Sequence, residues 1–364
     1  MDAARTLRTI TGLLAPALAA LGAVAPSGPA EACTRVLYTA PGGTVLTGRS
    51  MDWAEDMHTN LWAFPRGIQR DGATGPGAPR WTSRYGSVIA AGYDIGSADG
   101  INEKGLVANL LYLAESDYGT PGGKPALSIS LWAQYALDNF ATVAEAVAEL
   151  RKETFRVVTD VLPNGAKASL HLSLSDAAGD SAIFQYLGGR LVIHHGKEYV
   201  VMTNSPPYDE QLALNAYWKG IGGLTFLPGT NRAADRFVRA SFLLESIPRA
   251  VDKHFIDAVP EQRFEFQALS SVLGVVRSVS IPIGITTPGQ PNIASTLWRV
   301  VADHKRLLYA FDSATSPSVF WVSLADLDLR PGAPVRKLVV EGGASTRATS
   351  RPGSSRPGPS PSCR

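Results

Sequence analysis

Only two of the 364 residues are cysteines, Cys33 and Cys363, too few for a disulfide framework. Histidine is scarce as well. His58, His171, His194, His195, His254 and His304 form no His-Glu-x-x-His pair and no Cys/His cluster, so no metal centre is expected. Gly-x-Ser-x-Gly, Walker and Gly-x-Gly-x-x-Gly turns are all missing, which argues against an elbow-serine hydrolase, a P-loop enzyme and a dinucleotide enzyme. No cofactor is expected. An excess of one charge is lacking too, since the chain carries only +2 net. Residues 342–364 hold four arginines and no acid, and residues 1–32 balance to zero, which leaves the body at −2. No polybasic face is available for nucleic acid. What is present is apolar. Hydrophobic residues make up 45% and exclude wholesale disorder, and 35 glycines without a period exclude collagen. The length suits one large domain or two small ones.

Residues 1–32 read as a secretory signal peptide. Arg5 and Arg8 precede an apolar stretch from Ile10 to Val24, too short and too interrupted by Gly12, Pro16 and Gly22 for a comfortable membrane span. The small-residue site Ala30-Glu31-Ala32 follows. Cleavage after Ala32 is expected to leave Cys33 as the first residue of a secreted or periplasmic protein. Two readings of Cys33 then stand open. One is a lipid anchor on a binding protein, although Ala30 stands where such signals usually place Leu. The other is a nucleophile that carries its own base. A free thiol titrates near about 8.5 and a free α-amine near about 8, so one residue can supply sulfur and proton acceptor. Signal removal would double as activation, because an acylated nitrogen is no base. Residues 342–364, rich in Ser, Pro, Gly and Arg, read as a disordered tail in which Cys363 is incidental. The working domain is expected over 33–341.

Within that domain, 35–39 and 44–47 read as strands joined at Pro41-Gly42-Gly43. A turn tip at 41–42 or 42–43 puts Cys33 opposite residue 50 or 52 and brings Arg49 and Asp52 beside it. Residues 126–150 read as helical, with a capping pattern Thr142-x-x-Glu145 and a stripe at Val143, Ala146, Val147 and Leu150. The runs 169–175, 181–187, 190–195 and 199–203 read as an antiparallel meander. A helix is expected over 232–247, with late strands near 306–312 and 317–323. Asp-Gly-Ile-Asn-Glu-Lys-Gly at 99–105 reads as turn chemistry. The fold class is α+β with antiparallel sheets. Taken singly, Arg49 and Asp52 read as a surface pair, Asn204 as a turn residue, Tyr112 as a core tyrosine and Arg236 as solvated.

Set in order, however, several segments resemble the choloylglycine hydrolase family, which includes penicillin V acylases and bile salt hydrolases. They are Cys33-Thr34-Arg35, Gly48-Arg49-Ser50-Met51-Asp52-Trp53, Asn102-Glu103-Lys104-Gly105-Leu106, Thr203-Asn204-Ser205-Pro206, Leu227-Pro228-Gly229 and Asp235-Arg236-Phe237-Val238-Arg239. The resemblance covers Cys33 to about residue 325. It implies a four-layer αββα sandwich of the N-terminal nucleophile hydrolase type, assembled as a homotetramer, that hydrolyses linear amides. By the same resemblance Cys33 is nucleophile and base, Asp52 accepts a hydrogen bond from the α-amine, and Arg49 lies near the sulfur. Asn204 and the backbone N–H of Tyr112 would stabilise the oxyanion, and Arg236 would complete the charged ring. Trp53 reads as either substrate wall or core. The Tyr at 112, where bile salt hydrolases typically carry Asn, implies a penicillin V acylase-like enzyme of the Gram-negative branch. Acylated homoserine lactones and conjugated bile salts are the alternative small-molecule substrates.

Overall fold

The computed structural model describes residues 32–285, 294–316 and 318–340. The expected signal peptide, apart from Ala32, and the expected tail with Cys363 lie outside the described residues.

The first hairpin sets the geometry of everything that follows. Pro41-Gly42-Gly43 forms a three-residue loop, with Ala40 N–H bonded to Thr44 O at 2.9 Å and both glycines at positive φ, 85° and 91°. The strands Thr34–Thr39 and Val45–Trp53 therefore pair Thr34 with Ser50, Arg35 with Arg49 and Val36 with Gly48. Neither expected tip is correct. The extra loop residue shifts the pairing by one, and a one-residue shift exchanges the faces of a strand. Continued past Thr34, the register sets Cys33 against Met51, and their sulfurs are 3.9 Å apart. Cys33, Arg49 and Met51 thus share one face, while Thr34, Ser50 and Asp52 share the other.

Six antiparallel strands form one sheet, in the order Val201–Met202, Thr34–Thr39, Val45–Trp53, Ser295–Asp303, Leu308–Ser313 and Phe320–Ser323. A second, eight-stranded antiparallel sheet has Val107–Tyr112 and Gly96–Asn102 at its centre. Polar side chains join the two across their facing surfaces: Thr47 to Ser175, Arg35 to Ser181, and Tyr309 to Asp99. The helices are α1 (Trp132–Asn139), α2 (Val143–Leu150), α3 (Tyr208–Ile221), α4 (Ala233–Ser246) and α5 (Phe264–Ser278). Trp132, Leu137, Val143 and Val147 of α1 and α2 pack on Leu110, Leu172 and Phe184 of the eight-stranded sheet. Phe237, Val272 and Val276 of α4 and α5 cover the outer face of the six-stranded sheet. The result is the four-layer αββα sandwich implied by the resemblance. Gly48 lets α5 approach, since a Cβ there would lie 2.7 Å from Val276 and 2.8 Å from Val272.

Three expectations need correction. The span 126–150 is not one helix, because it opens with the strand Ala126–Ser128 and breaks at Phe140, whose backbone is extended. Thr142 does cap α2, accepting from Glu145 N–H at 3.2 Å, but Glu145 takes the N–H of Ala141. The run at 199–203 leaves the meander. Val201–Met202 crosses to the other sheet and pairs with Arg35 and Val36. Asp99, placed in a turn from sequence, lies in the strand Gly96–Asn102 and is fully buried.

Candidate active site

The crossing at 201–202 delivers Asn204 to Cys33. Beyond Met202, Thr203 Oγ1 donates to Gln211 Oε1 at 2.8 Å, and Thr203 O accepts from His171 Nε2 at 2.8 Å. A carbonyl only accepts, so Nε2 carries the proton and Nδ1 accepts from Gln185. Burial pushes His171 down to about 4, which keeps it neutral. Gln211 also donates to the backbone carbonyl of Asn204. Asn204 is therefore held from several sides before any substrate arrives.

Its carboxamide meets three of the other expected residues. Asn204 Oδ1 accepts from Cys33 N–H at 2.6 Å and from Arg236 Nη2 at 2.8 Å, and Nδ2 donates to Tyr112 O at 2.7 Å. An amide NH2 has two hydrogens, and the bond to Tyr112 uses one. Arg236, fully buried on α4, also donates to Cys33 O at 2.7 Å and Thr34 Oγ1 at 2.6 Å.

Asp52 sits on the α4 side of the sheet. Its Oδ1 accepts from Thr296 Oγ1 at 2.5 Å, and its Oδ2 lies 3.9 Å from Arg236 Nη1. Burial lifts its pKa to about 6, opposed by Arg236, Thr296 and Arg49. The expected hydrogen bond from the Cys33 nitrogen to Asp52 is replaced by one to Asn204. With Ala32 attached, that nitrogen is a peptide N–H with one hydrogen, and the backbone aims it at Asn204. A freed ammonium has three hydrogens to distribute.

Arg49 approaches from between the sheets. Its Nη2 lies 3.7 Å from Cys33 Sγ, donates to Leu110 O at 2.8 Å, and the guanidinium sits 4.7 Å over the Trp298 ring. Cys33 is 2% exposed. Burial raises its thiol pKa, Asp52 adds to the rise, and Arg49 and Arg236 oppose it. Met51, Thr296 and Trp298 were not expected here. Met51 follows only from the three-residue loop, which the expected register missed by one, and the other two come from the strand Ser295–Asp303, far along the chain and with no motif.

Sulfur and Arg49 open onto a cavity of about 250 Å³ whose wall includes Trp53, Tyr112, Met57 and Leu110. Trp53 Nε1 donates to Tyr93 Oη at 2.7 Å, and its ring meets Tyr112 edge-on at 6.4 Å. Trp53 is thus both buried and wall-forming. Exposed Ile95 and Val161 line the mouth. Among the described residues no group of three metal-ligating side chains is found.

The family of linear amide C–N hydrolases called the choloylglycine hydrolase family matches residues 33–340. A penicillin V acylase of Pectobacterium atrosepticum is 50% identical over 317 residues, covering 82% of this chain and 83% of the relative. The solved structure of penicillin V acylase from Agrobacterium tumefaciens is 56% identical, with a TM-score of 0.76, covering 84% of this chain and 91% of that one. A bile salt hydrolase/transferase of Clostridium perfringens is 28% identical over 255 residues, covering 62% of this chain and 76% of the relative. The buried cysteine, its paired charges and its apolar cavity therefore sit in a chain that belongs to the choloylglycine hydrolase family of linear amide hydrolases.

Proposed function

We propose that the protein is a penicillin V acylase-like amidase whose nucleophile is Cys33, freed as the N-terminus by removal of a signal peptide. The observation that carries this reading is the double grip on one residue: Arg49 beside the sulfur at 3.7 Å, and Asn204 with Arg236 beside the nitrogen. The neutral α-amine takes the thiol proton, and sulfur forms a bond to the amide carbonyl carbon. Asn204 Nδ2 and the backbone N–H of Tyr112 receive the oxyanion, each lowering the barrier by about 2.7–4 kcal/mol. The C–N bond breaks as the leaving amine takes the proton from the α-ammonium. Water then gives a proton to the α-amine and attacks the thioester, and as the C–S bond breaks the ammonium returns that proton to the sulfur. Asp52 orients the amine through its charge, and Arg49 favours thiolate.

The cavity supports an acyl group of one ring or a short chain. At about 250 Å³ it falls just below the range of about 300–1,000 Å³ typical of drug-sized ligands, and Trp53 and Tyr112 give it aromatic walls. That size disfavours a four-ring steroid. Export also belongs to this reading, as does association into a homotetramer. Amine release from phenoxymethylpenicillin, a long-chain acyl homoserine lactone and glycocholate by reduced protein tests it. Expected is cleavage led by phenoxymethylpenicillin and abolished in Cys33→Ala. No release from all three, with Cys33 confirmed as first residue, contradicts the proposal.

A further inference from the structure

Arg49 uses its two terminal nitrogens differently. Nη2 lies beside Cys33 Sγ and donates to Leu110 O, whereas Nη1 lies 3.9 Å from Asp99 Oδ2 and makes no hydrogen bond. Asp99 is fully buried and is gripped from both sheets. Tyr309 Oη donates to its Oδ1 at 2.7 Å, and Asn109 Nδ2 donates to its Oδ2 at 2.6 Å. Ser173 Oγ in turn donates to Asn109 Oδ1 at 3.1 Å, which fixes the amide. Asp99 is so held although it does not line the cavity at the sulfur.

We propose that Asp99 is a positioning residue that sets the acidity of the Cys33 thiol through Arg49. This rests on reading Cys33 as the nucleophile. A buried guanidinium requires a counter-ion, and here Asp99 and a Cys33 thiolate compete for the same one. The charged groups whose fields reach the sulfur are Arg49 on its own face and, from the opposite face of the sheet, Asp52 and Arg236. Those facing Asp99 are Arg49 and the Tyr309 hydroxyl. Asp52 and Arg236 make a second buried pair on the opposite face of the sheet. The sulfur therefore lies between two nearly neutral pairs, not beside a bare cation. Burial lifts Asp99 to about 6, so at pH 7 it is mostly ionised and withholds part of the Arg49 field. Without that negative charge, thiolate becomes the remaining partner of Arg49.

The test is the pH dependence of Cys33 alkylation by iodoacetamide, read by the mass of the N-terminal peptide. It uses Cys363→Ser protein that begins at Cys33. Asp99→Asn keeps the side-chain shape and is expected to move the midpoint down by about one pH unit, a roughly tenfold gain in thiolate at a given pH below it. Tyr309→Phe leaves Asp99 ionised where the thiol titrates but removes the donor that shares its charge, so Asp99 takes more of the Arg49 field and the midpoint is expected to move up, by less. A purely structural Asp99 would change stability and leave the midpoint in place. An unchanged or raised midpoint in folded Asp99→Asn overturns the proposal. Should that variant fail to fold, an unchanged or lowered midpoint in Tyr309→Phe overturns it. Alkylation needs no turnover, so an inactive wild type would strike the proposed function and leave this inference to its own result.

Discussion

Asp52 is fully buried, accepts a hydrogen bond from the Thr296 hydroxyl, and has its nearest cation 3.9 Å away. Such a carboxylate is expensive to ionise, which is why burial carries its pKa to about 6. An ammonium freed at Cys33 would offset that expense, and Asp52 would in turn hold the ammonium in place. Asp52→Asn preserves the shape and removes the charge, so kcat is expected to fall about 10²–10⁴-fold, the range of a lost acid–base function. Steady-state kinetics on folded protein checks this, and a kcat within threefold of wild type removes Asp52 from the mechanism. Cys33, Arg49, Asp52, Asn204 and Arg236 were legible in the sequence as an ordered set of motifs and Tyr112 only through the resemblance those motifs carry, and the structure brings all six together. Asp99 was not. Its Asp-Gly-Ile-Asn context has the composition of a turn, and only burial against Tyr309 of the other sheet shows what holds it.

At the scale of elements, local chemistry was read better than pairing. The α2 stripe, the α4 helix and the three meander strands followed from periodicity, because one buried face is enough to write it. The departure of Val201–Met202 to the other sheet left no trace, since a short apolar run does not name its neighbour. The hairpin register was missed by one residue because two successive glycines permit a three-residue loop as easily as a two-residue one. That residue decides which side chains share a face with the sulfur. Gly48 offers a test of the same hairpin, as its Cβ position is already filled by Val272 and Val276 of α5. Gly48→Ala is expected to cost about 1–3 kcal/mol by overpacking. Val276→Ala in the same chain is expected to recover part of it. Thermal unfolding reads both, and an unchanged melting temperature in Gly48→Ala means α5 does not press on this strand as described.

For the molecule as a whole, two sheets with helices outside bury the charged site at the end of the first hairpin. Among the described residues, one group of exposed large apolar side chains lies around the end of α3. At and beyond the end of α3, Leu224 is 95% exposed, Tyr217 66% and Phe226 57%. A patch of this kind supports the proposed homotetramer. Tyr217→Glu with Leu224→Glu is expected to shift the protein to smaller species in size-exclusion chromatography with light scattering, and a monomeric wild type contradicts that assembly. The nitrogen of Cys33 is a peptide amide while Ala32 is attached and a base only once freed. The most direct measurement compares hydrolysis of phenoxymethylpenicillin by protein beginning at Cys33 with protein that retains Ala32, both verified by intact mass. Turnover is expected only from the chain that begins at Cys33. Equal turnover from the chain that keeps Ala32 would show that the α-amine is not the base.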